Sequence, residues 1–423
     1  MKPAYLPLAL LLAAPSAFCA EPWYRPASTD IIIPAASEPL NVLGGCPKVR
    51  GIKAGQEYAE PPAVREVSEV SSQYLPLPAD DLDRAGITAV LRTDLEYWNA
   101  KPDSASVQVA GDKYDAPRMR RTIKALIDLF ASDLTPAQLQ KALKDGFRIY
   151  RASADDGTGK TVITGYYEAE IPVTRERDAE HKYPVLLRPA DLVKTTADMG
   201  VDFDYGRYDE NGAMVKHFST QEIHSGALDG RGLELVWSAH PAQIMLMQIQ
   251  GSGVLRFPDG DFMRAGFDGA NGHPFRSVQR ILMDCGEIES MSFKNFIRYL
   301  TSQGDREERL IDLNPRYIYF KQRPKESSAS GAIGKPLVPG RSIAVDPKYI
   351  PYGLFGLLKS RRPVAQADGL SFSDFARFIS THDTGSAIRG PGRVDLFWGS
   401  GPTAETEASS MKASGELYLF VIK

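Results

Sequence analysis

The chain has 423 residues, with 50 Lys+Arg against 53 Asp+Glu, 43% hydrophobic residues and 24% charged ones. This composition excludes a wholly disordered or collagen-like chain, and a formal charge of −3 gives no footing for a phosphate-binding surface, so nucleic acid is not an expected partner. The length allows about two or three domains with sizeable cores.

The N-terminus reads as an export signal over residues 1–20. Lys2 opens it, Leu8 to Ala14 form an apolar stretch, and the small residues Ala17 and Cys19 suit cleavage after Cys19. Beyond it no apolar run approaches the ~20 residues that cross a bilayer. Ser16 and Phe18 stand where a lipoprotein signal wants an aliphatic and a small residue, which disfavours lipidation at Cys19. The expected address is the periplasm of a Gram-negative bacterium, with outer-membrane association left open. Cys46 and Cys285 remain, as a disulfide in an oxidising compartment or as two thiols. The six histidines contain no HExxH pair and there is no CxxC, so neither a metal nor another cofactor is expected.

Residues 21–84 are proline-rich with little periodicity and read as an arm or linker. Helical patterns follow at 85–91 and 119–131, and Thr135-Pro136-Ala137-Gln138 is a capping box that opens a third helix. The period then changes. Phe147 to Tyr150 and Thr161 to Tyr167 read as two strands joined at a hairpin turn over Asp156-Gly157. The stretch 171–275 is rich in strands and turns, with strand-like runs at 183–187, 233–237 and 244–249, and a helix is expected near Phe293 to Leu300 before further strands. The reading is α+β, helices first and then mostly β.

Three motifs point elsewhere. Residues 154–161 fit a loose phosphate-loop pattern, but a β-branched, strand-like run follows where a helix is required. Gly251-Ser252-Gly253 lacks the spacing of a nucleophile elbow and reads as a tight turn or a close backbone approach. Asp383-Thr384-Gly385-Ser386 is the tetrapeptide of aspartic proteases; it occurs once, so that chemistry would need a homodimer with Asp383 as its essential group.

Asp395 lies in Arg393-Val394-Asp395-Leu396-Phe397-Trp398. Strand alternation places Val394, Leu396 and Trp398 against a core and Asp395 beside Phe397 on the other face. An aromatic wall disfavours the charged carboxylate and suits a general acid. The plainer alternative is an Asp paired with Arg393.

Longer stretches carry a resemblance. Residues 340–353, Asp383-Thr384-Gly385-Ser386-Ala387-Ile388-Arg389-Gly390 and Asp395-Leu396-Phe397-Trp398-Gly399 resemble the 3D domain, placed over 338–415. Upstream, Thr164-Gly165-Tyr166-Tyr167-Glu168, residues 230–237, Gln248 to Gly253 and Asn271 to Ser277 resemble the other half of the membrane-bound lytic murein transglycosylase A family. The resemblance implies a double-psi β-barrel over 85–170 and 276–423, a mostly β domain inserted over 171–275, and a groove between them for a peptidoglycan strand. It implies that Asp395 is the catalytic group, that Asp383 and Asp346 support it, and that Thr164, Gly165, Tyr166, Gln248, Gln250 and Ser252 bind substrate. Asp346, followed by Pro347, also reads as a turn residue.

The expected activity is cleavage of the MurNAc-β-1,4-GlcNAc bond by one acid, closing a 1,6-anhydro ring. The enzyme is expected to act as a monomer on glycan strands, with cell-wall synthesis or division proteins as candidate partners. A polysaccharide-binding barrel without catalysis is the other reading, and a dimeric protease the third.

Overall fold

The computed structural model describes residues 68–77, 80–152, 160–366, 369–385 and 387–423. The export signal, Cys19, Cys46, most of the arm, the Asp156-Gly157 turn and Ser386 lie outside the described residues.

The helices form where their caps predict. Asp83 accepts from the Gly86 amide to start Arg84–Asn99, and Asp115 accepts from Arg118 to start Ala116–Ala131. Thr135 and Gln138 complete the reciprocal capping box at the head of Pro136–Gly146. The tail of the arm docks on the fold: Asp80 pairs with the buried Arg341, and Asp81 with Arg377.

Six strands close into a barrel: β1 (Thr161–Pro172), β2 (Ser342–Ala344), β3 (Phe355–Gln366), β4 (Gly369–Asp383), β5 (Arg393–Ser400) and β6 (Lys412–Ile422). The order runs β6-β3-β4-β2-β5-β1, and β1 returns to β6 by pairing Thr161–Thr164 with Lys412–Gly415. The β2–β4 and β5–β1 pairs are parallel and the others antiparallel. Closure removes the free edges an open sheet would expose. Ile163, Ile343, Leu357, Val394, Leu396 and Leu417 fill the interior with no exposure.

The expected hairpin between the first two strands does not form. Phe147–Ala152 and β1 are not neighbours; both pair with β6, Ala152 against Leu417 and Thr161 against Gly415. The long β6 can take both partners end to end, an arrangement that local turn chemistry cannot signal.

A second body grows from the far half of β1. There Ala169–Pro172 pair in parallel with Ser252–Arg256, which leads to Phe262–Ala270 and then to Ile318–Arg323. The run at 244–249 is a helix, Pro241–Gln250, rather than a strand. Pro241 at its start and the left-handed Gly251 at its end (φ 81°) fix its limits. It packs Ala242 and Met245 against one core and Ile244 and Met247 against another, so it lacks the single apolar stripe that marks a surface helix.

Three helices follow residue 276. Helices Val278–Asp284, Phe293–Thr301 and Glu307–Ile311 bury Leu282, Phe296 and Leu310 against Ala242 and Met245. Cys285 in this region is disulfide-bonded, with its partner outside the described residues. No helix among the described residues is long and apolar enough to cross a membrane.

Candidate active site

Strand β5 presents the site by alternation. Val394, Leu396 and Trp398 join the barrel core, whereas Phe397 packs on the outer face with Tyr166, Ala344 and Ile388. The Tyr166 and Phe397 ring centroids are 5.2 Å apart. Asp395 shares this outer face and is half-buried.

Strand register lines up one residue from each of five strands. Ala344 on β2 pairs with Asp383 on β4 and with Asp395 on β5; Asp395 is level with Thr164 on β1, and Thr164 with Lys412 on β6. Paired residues project to the same face. The two aspartates are two strand spacings apart, about 10 Å between Cα atoms, with the small Ala344 side chain between them.

The two carboxyls are treated differently. Asp383 accepts from the Tyr166 hydroxyl at Oδ2 and from the Ala332 amide at Oδ1, each at 2.9 Å. Asp395 Oδ1 is buried without a hydrogen-bond partner. Burial pushes the Asp395 carboxyl up to about 6; the Arg393 charge and the neighbouring Thr164 hydroxyl oppose that rise and the Asp383 charge adds to it. Asp383 is also pushed up to about 6 by burial, against the amides and the hydroxyl that favour its charged form. Burial first, then the Asp383 charge, holds the Tyr166 phenol well above its ordinary range. The hydrogen bonds that Asp383 accepts favour its charged form, and its charge in turn raises the Asp395 carboxyl.

The plain alternative, an Asp395–Arg393 ion pair, is not formed among the described residues, although the Arg393 charge acts on the carboxyl. The protease reading finds no support either, since both Asp383 oxygens are already engaged within the chain.

The other expected residues are placed as follows. Thr164 stands beside Asp395, with its hydroxyl 3.5 Å from the Val394 carbonyl. Gly165 faces away from the row; a Cβ there would lie 2.6 Å from Trp398 Nε1 and 2.9 Å from Ala408 Cα. Asp346 is buried and clamps loops, accepting from Gly390 at 2.8 Å and from Lys348 at 3.1 Å. Gln250 accepts from the Tyr167 amide at 3.0 Å, and Gln248 reaches the buried Tyr317 hydroxyl. Ser252 is buried in the sheet opposite Gly266. These last three lie where the second body joins β1. The close-approach reading of Gly251-Ser252-Gly253 holds, because a Cβ on Gly253 would meet Met247 Sδ at 2.5 Å.

A buried network under the row escaped sequence reasoning. Asp94 accepts from the Ser380 hydroxyl at 2.6 Å and binds His382 Nε2 at 3.0 Å, while His382 Nδ1 meets the Ser342 hydroxyl at 2.9 Å. All four side chains are fully buried, so this Ser-His-Asp arrangement reaches no substrate. It joins β2 and β4 directly beneath Asp383. Asp94 lies nearly 300 residues from His382, and nothing local marks it. As for metals, His224, Glu308 and Asp312 bring donor atoms within 4.8 Å of one another, a closeness that the 2.6 Å His224–Asp312 bond accounts for.

Residues 162–321 match the family model of the MltA specific insert domain, and residues 341–421 match that of the 3D domain, together more than half of the chain. The chain belongs to the MltA family. The membrane-bound lytic murein transglycosylase A of Vibrio cholerae serotype O1 is 29% identical over 279 residues, 64% of this chain and 68% of the relative. That of Escherichia coli K12 is 28% identical over 65% of this chain and 69% of the relative. Among solved structures, the membrane-bound lytic murein transglycosylase from Agrobacterium tumefaciens superposes with a TM-score of 0.70 at 27% identity, covering 85% of this chain and 98% of that one. The E. coli MltA with bound chitohexaose has the same fold, with a TM-score of 0.62 at 22% identity over 87% of this chain and 98% of that one. The MltA fold is thus the double-psi barrel with an inserted domain that the sequence resemblance implies. Asp346, Asp383 and Asp395 fall within the 3D match, and Thr164 to Tyr166 with Gln248 to Ser252 within the insert match.

Proposed function

We propose that the protein is a peptidoglycan lytic transglycosylase that cleaves the MurNAc-β-1,4-GlcNAc bond and leaves 1,6-anhydroMurNAc ends. One observation carries the reading: a half-buried carboxyl, pushed up to about 6, stands on the outer face of the barrel with one oxygen unpartnered. The names of the relatives support the same activity. Two-carboxylate hydrolysis needs a second group free to activate water or attack the sugar. Here Asp383 already accepts two hydrogen bonds, which favours a single-acid mechanism.

In that mechanism neutral Asp395 gives its proton to the glycosidic oxygen as the bond to MurNAc C1 breaks. Positive charge develops at C1, facing the row that holds the Asp383 carboxylate. The Asp395 carboxylate then takes the proton of the same sugar's C6 hydroxyl, whose oxygen closes on C1. No water is consumed, and the enzyme returns to its starting protonation state. The internal hydroxyl reacts at a high effective molarity that favours it over water. Thr164 orients the carboxyl, and Tyr166 acts through Asp383. Gln248, Gln250 and Ser252 shape the joint of β1 with the second body along which a glycan strand would run, and Asp346 holds the neighbouring loops.

The relatives' designation as membrane-bound fits a location in the cell envelope, and we place the protein in the periplasm. The test is mass spectrometry of the fragments that the protein releases from purified peptidoglycan. Anhydro ends, one water (~18 Da) lighter than hydrolytic ones, are expected. Reducing ends would make it a hydrolase, and no release would favour a binding protein.

A further inference from the structure

Two cations flank the proposed acid. Arg393 precedes Asp395 by two residues on the same face of β5, and Lys412 is level with Thr164 on the neighbouring β1–β6 pair. Among the described residues neither makes an ion pair, and Arg393 Nε is buried without a hydrogen-bond partner. Lys412 is exposed, while Ala413 beside it turns into the core next to Ile163, so the lysine projects on the Asp395 side of the sheet. A partly exposed guanidinium that makes no ion pair within the protein can gain one from a ligand anion.

We infer that Arg393 and Lys412 form a carboxylate subsite that recognises the acidic substituent carried on C3 of the sugar at the cleaved bond. The inference rests on the peptidoglycan reading above. MurNAc differs from GlcNAc by a lactyl ether at C3, which ends in a free carboxylate on a naked strand and in a peptide with its own carboxylates on a substituted one. A sugar's C3 substituent carries its carboxylate about 5 Å from C1, roughly one strand spacing, a distance that long Arg and Lys side chains on positions neighbouring Asp395 can span. The subsite would distinguish murein from uncharged chitin-like glycan, and it would add binding that chitooligosaccharides cannot gain.

The experiment measures binding in an Asp395→Asn background, where substrate is not consumed, with three ligands: naked murein oligosaccharides with free lactyl groups, peptide-bearing ones, and chitohexaose. The parent should bind at least one carboxylate-bearing ligand about tenfold more tightly than chitohexaose, and salt should narrow the gap. Lys412→Met and Arg393→Gln should each collapse that ratio several-fold, and Lys412→Arg should retain it. Loss on naked oligosaccharides identifies the lactyl carboxylate, and loss confined to peptide-bearing ones identifies the stem. Ratios unchanged in both variants, with melting temperatures equal to the parent's, would overturn the inference. The peptidoglycan reading fails separately, if the unaltered protein releases no anhydro fragments.

Discussion

The Tyr166 hydroxyl donates to Asp383 Oδ2 at 2.9 Å and the Ala332 amide to Oδ1, whereas Asp395 Oδ1 has no partner. The division of roles between two aspartates of similar burial rests on those donors. Both carboxyls are pushed up to about 6, so the pair titrates in the range where an acid at neutral pH is useful.

The pH profile tests this division. Because the reaction needs Asp395 protonated, activity should fall as pH rises through about 6. In Tyr166→Phe the Asp383 carboxylate loses a donor that lowers its pKa, so it protonates more readily. Its charge then raises the Asp395 pKa less, and the alkaline limb should move to lower pH. A profile of kcat/KM on solubilised glycan strands reads the shift; an unmoved limb would separate Asp383 from the chemistry.

Replacing the acid should cost activity and raise stability. Asp395→Asn keeps size and shape but removes the proton donor, and the rate should fall by ~10²–10⁴ or more. The carboxyl's ordinary value is 3.8 and its folded value about 6. Between those values the folded chain holds a proton that the unfolded chain gives up, so stability declines as pH rises through that window. Asparagine does not ionise and escapes the decline. Thermal melts should therefore show the variant gaining on the parent between about pH 4 and 7, with the two converging at lower pH.

The sequence made the strand logic of the site legible because the information is local. Alternation alone separates Val394 and Leu396 from Asp395 and Phe397, and the capping residues Asp83 and Thr135 announce their helices. What was hidden depends on partners far along the chain. The bonds of Gln248 and Gln250 to Tyr317 and Tyr167 give these amides internal roles that a side-chain inventory cannot show. The helix Pro241–Gln250, buried against two cores, has no readable period, and the pairing of Ile318–Arg323 with Phe262–Ala270 joins strands about fifty residues apart. Asp94 became meaningful only when the fold set it against His382.

Gly165 should tolerate no side chain. The added Cβ of Gly165→Ala would meet Trp398 Nε1 and Cδ1, and the Ala408 main chain cannot withdraw without moving the helix Pro402–Ser410. Overpacking of this kind costs roughly 1–3 kcal/mol. Chemical denaturation should show that loss with an unchanged m-value. Activity per folded molecule should drop as well, since β1 carries Thr164 and Tyr166 on its other face. A variant as stable as the parent would mean that the close packing against Trp398 relaxes freely.

The buried Asp94–His382 pair should be the most sensitive point away from the groove. Asp94→Ala leaves His382 Nε2 and the Ser380 hydroxyl without their acceptor in a region with no exposure. Leaving a buried polar group without its partner costs about 1–3 kcal/mol, a large share of the roughly 5–15 kcal/mol that stabilises a typical domain. The gentler Asp94→Asn keeps an acceptor for one neighbour and should lose less. Because Ser342 and His382 tie β2 to β4 beside Ala344 and Asp383, damage should reach the site as a lower kcat with little change in KM. Urea unfolding and kinetics of the Asn variant check this together. A stable Asn variant with normal kcat would mean that β2 and β4 hold their register without the network.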